Sequence, residues 1–403
     1  MSDVGSPSPL AMRRDPHRPL HPSPELLAVD AAGGIVEISM PMVTPGRGRT
    51  WLITRPADIH EVLGDPALFS NVLRLPAGGP GGDASPTGPG SLLGLDPPQH
   101  TRLRGLLSAE FSSRRVAGLQ AVVAAATRDA LAGLRGQERA DLVTSFAQPV
   151  PAVVIAELLG VPPTDRDEFC RRSAIAIDTR LPALARAENR AEMQAYMSDL
   201  VARLRREPGD RDGLLGALIA RHGSSVGDAE LVATGNLLLL AGHETTASLI
   251  AQSLLLLLEF PEHRETVLRD EESLVRGVEE LLRYLTVFHF SLPRTARRAT
   301  VVAGTTIEAG DRILCSFAAA NRDARRYPDP DEFQPGRAEA RHLAFGHGIH
   351  FCLGAPLARL EMRTVLPAFF ESFPAARLAP DTAVRYRDGS LTFGLDALPA
   401  TLR

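Results

Sequence analysis

The chain has 403 residues, 44% hydrophobic and 23% charged, with a formal net charge of -4; this balance suits a soluble globular protein and gives no general attraction to nucleic acid. All 44 basic residues are arginine, which leaves no lysine for Schiff-base chemistry. Cys170, Cys315 and Cys352 lie far apart with no Cys-x-x-Cys spacing, which argues against a zinc site or disulfide framework and fits a reducing cytoplasm. The N-terminal residues lack the apolar core of a signal peptide, and the apolar runs 237–241 and 254–258 are too short for a bilayer, so a cytoplasmic protein without a membrane anchor is expected.

Residues 1–20 carry Pro7, Pro9, Pro16 and Pro19 and little to bury; they are expected to be disordered, with 21–403 forming one domain. Alternation in Val36-Glu37-Ile38-Ser39-Met40 and the run Thr50-Trp51-Leu52-Ile53-Thr54, across Gly46-Arg47-Gly48, predict a β-hairpin. The Gly/Pro-rich stretch 74–94 cannot hold regular structure and reads as a lid over a binding site or as a solvated insertion. Asp96, ahead of Pro97 and Pro98, is placed to cap a helix. On that helix His100 and Arg104 share one face, either as a solvated basic surface or as paired donors to one carboxylate cluster.

Between 114 and 221 the 3.6-residue periodicity of Ala, Leu, Arg and Glu predicts several helices, broken at Pro149, Pro151, Pro162, Pro163 and Pro182. An apolar helix over 228–259 follows, interrupted by Ala241-Gly242-His243-Glu244-Thr245-Thr246. Thr245 can bond back to the carbonyl of Ala241, and a local opening beside Gly242 leaves room for oxygen or water. Glu280 and Arg283 lie one turn apart on a further helix; on a surface such a pair contributes only about 0.2–0.5 kcal/mol. Strand-like pieces follow near 300–307 and 312–317, and 391–395 reads as a turn.

The most informative stretch is Phe345-Gly346-His347-Gly348-Ile349-His350-Phe351-Cys352-Leu353-Gly354, which runs into an amphipathic helix. Closely spaced glycines predict a tight loop, which sets Cys352 at a loop-to-helix junction. There the helix N-terminus and backbone N–H groups favour a thiolate suited to a metal; a buried structural cysteine is the plainer alternative.

Phe345, Gly348, His350, Cys352 and Gly354 form a Phe-x-x-Gly-x-His-x-Cys-x-Gly pattern that resembles the haem-binding loop of the cytochrome P450 family. Three further patterns occur in that family's order: Asp96-Pro-Pro-x-His100-Thr-x-x-Arg104, Ala241-Gly-x-Glu244-Thr245-Thr, and Glu280-x-x-Arg283. The resemblance implies a mainly α fold with small β-sheets and haem b (iron protoporphyrin IX) between the long central helix and the cysteine loop. Cys352 is then the axial iron ligand, and His100, Arg104, Arg294 and His350 hold the haem propionates. Ala241, Thr245, Phe345 and Gly354 also border the haem. Thr245 stabilises iron-bound oxygen by hydrogen bonding while Glu244 relays protons from water. Glu280, Arg283 and Arg337 form a buried triad for folding and haem retention. Leu237, Leu238, Phe288, Phe290, Leu292 and Phe393 line the substrate pocket, and 74–94 is its lid.

The activity so implied is monooxygenation: one atom of O2 enters a C–H or C=C bond of a bulky, mostly apolar molecule such as a polyketide, macrolide, terpenoid or steroid. A separate ferredoxin and its NAD(P)H-dependent reductase supply electrons, docking near Arg102, Arg114, Arg359 and Arg363 on a monomeric protein. The alternatives are a peroxide-driven haem-thiolate enzyme and a non-catalytic haem sensor or ligand carrier.

Overall fold

The computed structural model describes residues 12, 14–39, 48–72, 91–177, 181–206, 213–338, 341–387 and 390–403. Helices make up most of the regular structure, with four small sheets beside them among these residues. The central element is the 32-residue helix Asp228–Glu259, about 48 Å long at 1.5 Å per residue. The Glu230 carboxylate reaches back to the Gly227 N–H at 3.2 Å and closes its first turn. The helix lacks a single polar face because Pro149–Leu159, Ala183–Arg206 and Ala355–Ser372 all pack on it. Leu254 to Leu258 are buried, each contributing about 1.5–3 kcal/mol relative to exposure. Gly242 lets Pro149–Leu159 approach, since a Cβ there would lie 2.6 Å from Ile155 Cδ1.

The largest sheet runs Ile35–Ile38, Thr50–Ile53, Arg312–Cys315, Arg294–Ala296, Phe69–Ser70. Its first pair is antiparallel, as the hairpin pattern predicts; Thr50–Ile53 then lies parallel to Arg312–Cys315. Trp51 is buried and its indole N–H donates to Asp311 Oδ2 at 3.0 Å. This sheet carries Arg294 to the functional cavity, and Phe69–Ser70 delivers Asn71 beside it.

The N-terminal expectation needs correction. Residues 1–11 and 13 lie outside the described residues, but from Arg14 the chain is packed. The Arg14 guanidinium donates to the carbonyls of Leu20 at 3.1 Å and Leu285 at 3.0 Å, and Asp15 Oδ1 accepts from His17 N at 2.8 Å. Composition made this segment look solvated, yet an arginine stem can line a core while its head bonds carbonyls. Most of the Gly/Pro-rich stretch also lies outside the described residues; its end, Leu92–Gly94, is a short 3-10 turn with Leu92 buried. No helix among the described residues is long and apolar enough to cross a membrane.

Candidate active site

Cys352 stands three residues ahead of helix Ala355–Ser372. The loop before it is closed by Gly346 N to Leu343 O at 2.9 Å, Phe351 N to Gly348 O at 3.0 Å and Cys352 N to Phe345 O at 2.9 Å. Glycine is required at 348: φ is +74° and a Cβ would lie 2.0 Å from the Leu63 carbonyl oxygen. Burial pushes the Cys352 thiol up, against the pull of the Gly354 and Ala355 N–H groups, Arg104 and Arg359. The sequence reading of a lowered pKa is therefore reversed, because burial outweighs the helix terminus; coordination to a metal is what removes such a proton outright. Cys170 and Cys315 are also raised by burial, to about 11.

Four basic groups cluster at one end of the cavity that Cys352 lines: Arg104, Arg294 and His350 line it, and His100 stands against His350 without lining it. His100, on helix Gln99–Ser108, and His350 have ring centroids 4.3 Å apart. All four ring nitrogens are buried without a hydrogen-bond partner. Arg104 and Arg294 line the same cavity. Burial, followed by Arg294, His100 and Arg104, pushes His350 down to about 3, with Asp96 opposing. His100 is lowered by burial and Arg104 in the same way. Mutual repulsion and orphaned nitrogens together describe a site built for an anion.

Across the cavity lie Ala241, Gly242, Thr245 and Thr246 of the central helix. The Thr245 hydroxyl donates to the Ala241 carbonyl at 2.6 Å, the i−4 bond the sequence allows. Glu244 does not line the cavity. Its Oε1 accepts from Thr392 Oγ1 at 2.6 Å, Arg387 Nη1 at 3.2 Å and Ser390 Oγ at 3.4 Å. His243 is buried, its Nε2 3.1 Å from the Gln148 carbonyl, and burial lowers it to about 4.

A family profile described as Cytochrome P450 matches residues 183–391. Cytochrome P450 FAS1 of Rhodococcoides fascians is 40% identical over 98% of both chains. The chain belongs to the cytochrome P450 family. A vitamin D(3) 25-hydroxylase of Pseudonocardia autotrophica is 37% identical over 95% of this P450 and 94% of that enzyme. The solved structure of P450 StaH from glycopeptide antibiotic A47934 biosynthesis superposes with a TM-score of 0.86 at 37% identity, covering 98% of this chain and 99% of that one. The P450 is thus a monooxygenase-family oxidoreductase whose cofactor is haem iron and whose co-substrate is O2.

The residues present fit haem. The orphaned nitrogens of His100 and His350, with Arg104 and Arg294, match two propionates in charge and donor number. Cys352 lines the same cavity, whose volume is about 310 Å³. Phe345 and Gly354 border it too, and the Arg359 guanidinium lies 4.7 Å from the Phe345 ring centre.

The pocket wall of the P450 includes Leu237, Leu238, Phe288, Phe290 and Leu292. Phe393 is not part of it. Its N–H bonds the Val287 carbonyl at 2.7 Å and its buried ring packs on His289 and Arg14, so it backs the wall instead of facing the cavity. Glu280, Arg283 and Arg337 are brought together: Arg283 grips Glu280 at 2.7 and 2.8 Å, and Arg337 Nε reaches Glu280 Oε1 at 3.1 Å. Arg102 and Arg359, two of the expected docking cations, are held in ion pairs with Glu230 and Glu279. Asp96 does not cap its helix: its side chain turns to Ser70, Asn71 and Arg297. Sequence reasoning missed Asn71, Arg387, Thr392 and Glu361; all are single polar residues whose significance depends on distant partners, and no local pattern marks them.

Proposed function

We propose that this P450 hydroxylates or epoxidises a bulky, mostly apolar small molecule of secondary metabolism, with two electrons from NAD(P)H delivered by a ferredoxin reductase and a separate ferredoxin. Haem held by the Cys352 thiolate supplies dioxygen activation: one oxygen atom enters the substrate and the other leaves as water, consuming two electrons and two protons. The chain's own residues bind, orient and handle protons. His100, Arg104, Arg294 and His350 fix the propionates. Phe288, Phe290, Leu292, Leu237 and Leu238 exclude water and hold apolar substrate beside Thr245, whose hydroxyl, donated to the Ala241 carbonyl in this structure, would turn from it to donate where oxygen binds. Glu244, held by the Ser390 and Thr392 hydroxyls and Arg387, relays protons drawn from water toward Thr245.

The observation that carries this reading is the shared cavity: Thr245 and the apolar wall face the same space as Cys352. Relatives that include a vitamin D(3) 25-hydroxylase and a P450 from glycopeptide antibiotic biosynthesis support a bulky substrate beside that apolar wall. The acid and alcohol on the central helix favour an O2-consuming monooxygenase over a peroxide-driven enzyme or a carrier, neither of which needs them. Arg114 and Arg363 are exposed and remain for steering an acidic ferredoxin; electron transfer indifferent to ionic strength would contradict that docking face. The test of the substrate class is a spectral binding screen against polyketides, macrolides, terpenoids, steroids and small polar controls. Apolar polycyclic or macrocyclic candidates are expected to shift the Soret band. Shifts confined to small polar controls would reject the substrate class.

A further inference from the structure

Asn71 and Asp96 are buried next to the basic cluster, at 4% and 7% exposure. The Asp96 carboxylate accepts from Ser70 Oγ at 2.5 Å, Asn71 N at 2.9 Å and Arg297 Nη2 at 2.6 Å, while its carbonyl accepts from His100 N at 2.9 Å. Asp96 thus ties the strand Phe69–Ser70, the residue after it and the start of the His100 helix into one unit. Asn71 spends both ends of its amide there: its Nδ2 donates to the Leu93 carbonyl and its Oδ1 accepts from Arg294 Nη1. Arg294 also reaches the Leu292 carbonyl at 3.3 Å. Among the described residues both hydrogen-bond partners of this buried arginine are neutral carbonyl oxygens, and the nearby Asp96 carboxylate does not bond it, so its positive charge remains available to an anion.

We propose that Asn71 is a positioning residue for the haem propionates, a neutral bracket that aims Arg294 at a propionate without discharging it, with Asp96 as its buttress. The inference rests on the haem-thiolate reading. Its distinctive consequence concerns the choice of amide over carboxylate. Asn71→Asp has the same shape and keeps, indeed strengthens, the bond to Arg294, while giving up the Nδ2 bond to the Leu93 carbonyl. It also discharges Arg294 and sets a negative charge beside the haem, which favours ferric over ferrous iron. Asn71→Leu keeps the branching but replaces both polar ends with methyl groups, which removes the brace altogether.

The test uses the full-length ferric holoenzyme, with haem content and the carbon monoxide spectrum of the parent protein recorded first, so that failure of the haem-thiolate reading is seen separately. Two quantities are then read: the rate of haem transfer to excess apomyoglobin and the midpoint reduction potential. Asn71→Leu is expected to speed haem transfer at least about tenfold, corresponding to about 1.4 kcal/mol. Asn71→Asp is expected to speed it by a similar factor and to move the potential to more negative values. A mere structural brace predicts a parent-like potential for aspartate, and that result overturns the proposal. So does transfer within twofold of the parent in the leucine variant. Should neither variant accumulate, Arg297→Gln, at a half-exposed side chain, removes one of the donors that hold the Asp96 buttress. It is expected to speed haem transfer several-fold, and an unchanged rate rejects the proposal.

Discussion

Replacing Arg283 by leucine strikes the joint between the helix Glu271–Leu285 and the segment that leads to the cysteine loop. Arg283 is 1% exposed and donates five hydrogen bonds: two to Glu280, and one each to the carbonyls of Asn321 at 2.7 Å, Pro330 at 2.9 Å and Glu332 at 3.1 Å. Leucine makes none of them. Glu280 would keep Arg337 Nε at 3.1 Å and Gln334 N at 2.9 Å on one oxygen, but its other oxygen would lose Arg283 while staying buried. Breaking a buried pair on one side costs about 3–5 kcal/mol, a large share of a typical folding stability of about 5–15 kcal/mol. The damage reaches the haem site through Asn321, whose Oδ1 accepts from Leu343 N at 2.8 Å just before the cysteine loop. The assay is the ratio of haem to purified protein, with a urea titration alongside. Most of the Arg283→Leu protein is expected to lack haem and to unfold at lower urea. Arg283→Lys, which restores charge but not the forked geometry, is expected to recover little. Full haem loading with an unchanged urea midpoint in Arg283→Leu would refute this reasoning.

Three other outcomes follow from particular atoms. Gly348→Ala places a Cβ against the Leu63 carbonyl at positive φ, with about 1–3 kcal/mol of backbone strain alone; it should lower the Soret-to-protein absorbance ratio, and a parent-like ratio would contradict the account of the loop. Thr245→Ala should leave oxygen consumption near the parent rate while product falls and hydrogen peroxide rises; unchanged coupling would remove Thr245 from oxygen handling. Glu361 is buried, its Oε2 has no hydrogen-bond partner, and burial pushes its carboxyl up to about 8. From about pH 4.3 to 8 the unfolded chain has released a proton the folded chain still holds, so stability falls as pH rises through that window. Glu361→Gln should match the parent near pH 4 and exceed it increasingly toward pH 8, by at most roughly 5 kcal/mol at 1.36 kcal/mol per pH unit. Parallel urea midpoints across that range would contradict the buried neutral acid.

The sequence carried the features that depend on close spacing. The extent of the central helix, the Thr245 back-bond, the loop-to-helix junction at Cys352 and the common face of His100 and Arg104 all follow from residues within a few turns of one another. Features that depend on chain return were not legible. Phe393 looked free to enter the pocket, but its backbone is tied to Val287 and its ring meets Arg14 from the other end of the chain. Glu244 was readable as an acid beside Thr245, whereas its partners Arg387, Ser390 and Thr392 come from about 140 residues onward. Asp96 has the type and place of a helix cap, yet tertiary donors from Ser70 and Arg297 claim its carboxylate. The arginines proposed for docking show the same limit, since ion pairing of Arg102 with Glu230 is set by packing between distant helices.

The central claim is that Cys352 is the iron ligand of a haem-thiolate enzyme, and the ferrous carbon monoxide difference spectrum tests it most directly. The parent protein is expected to give the long-wavelength Soret band of thiolate ligation, and Cys352→Ser is expected to lose it. A folded, haem-loaded parent protein that shows only the short-wavelength band of a neutral ligand would contradict the assignment.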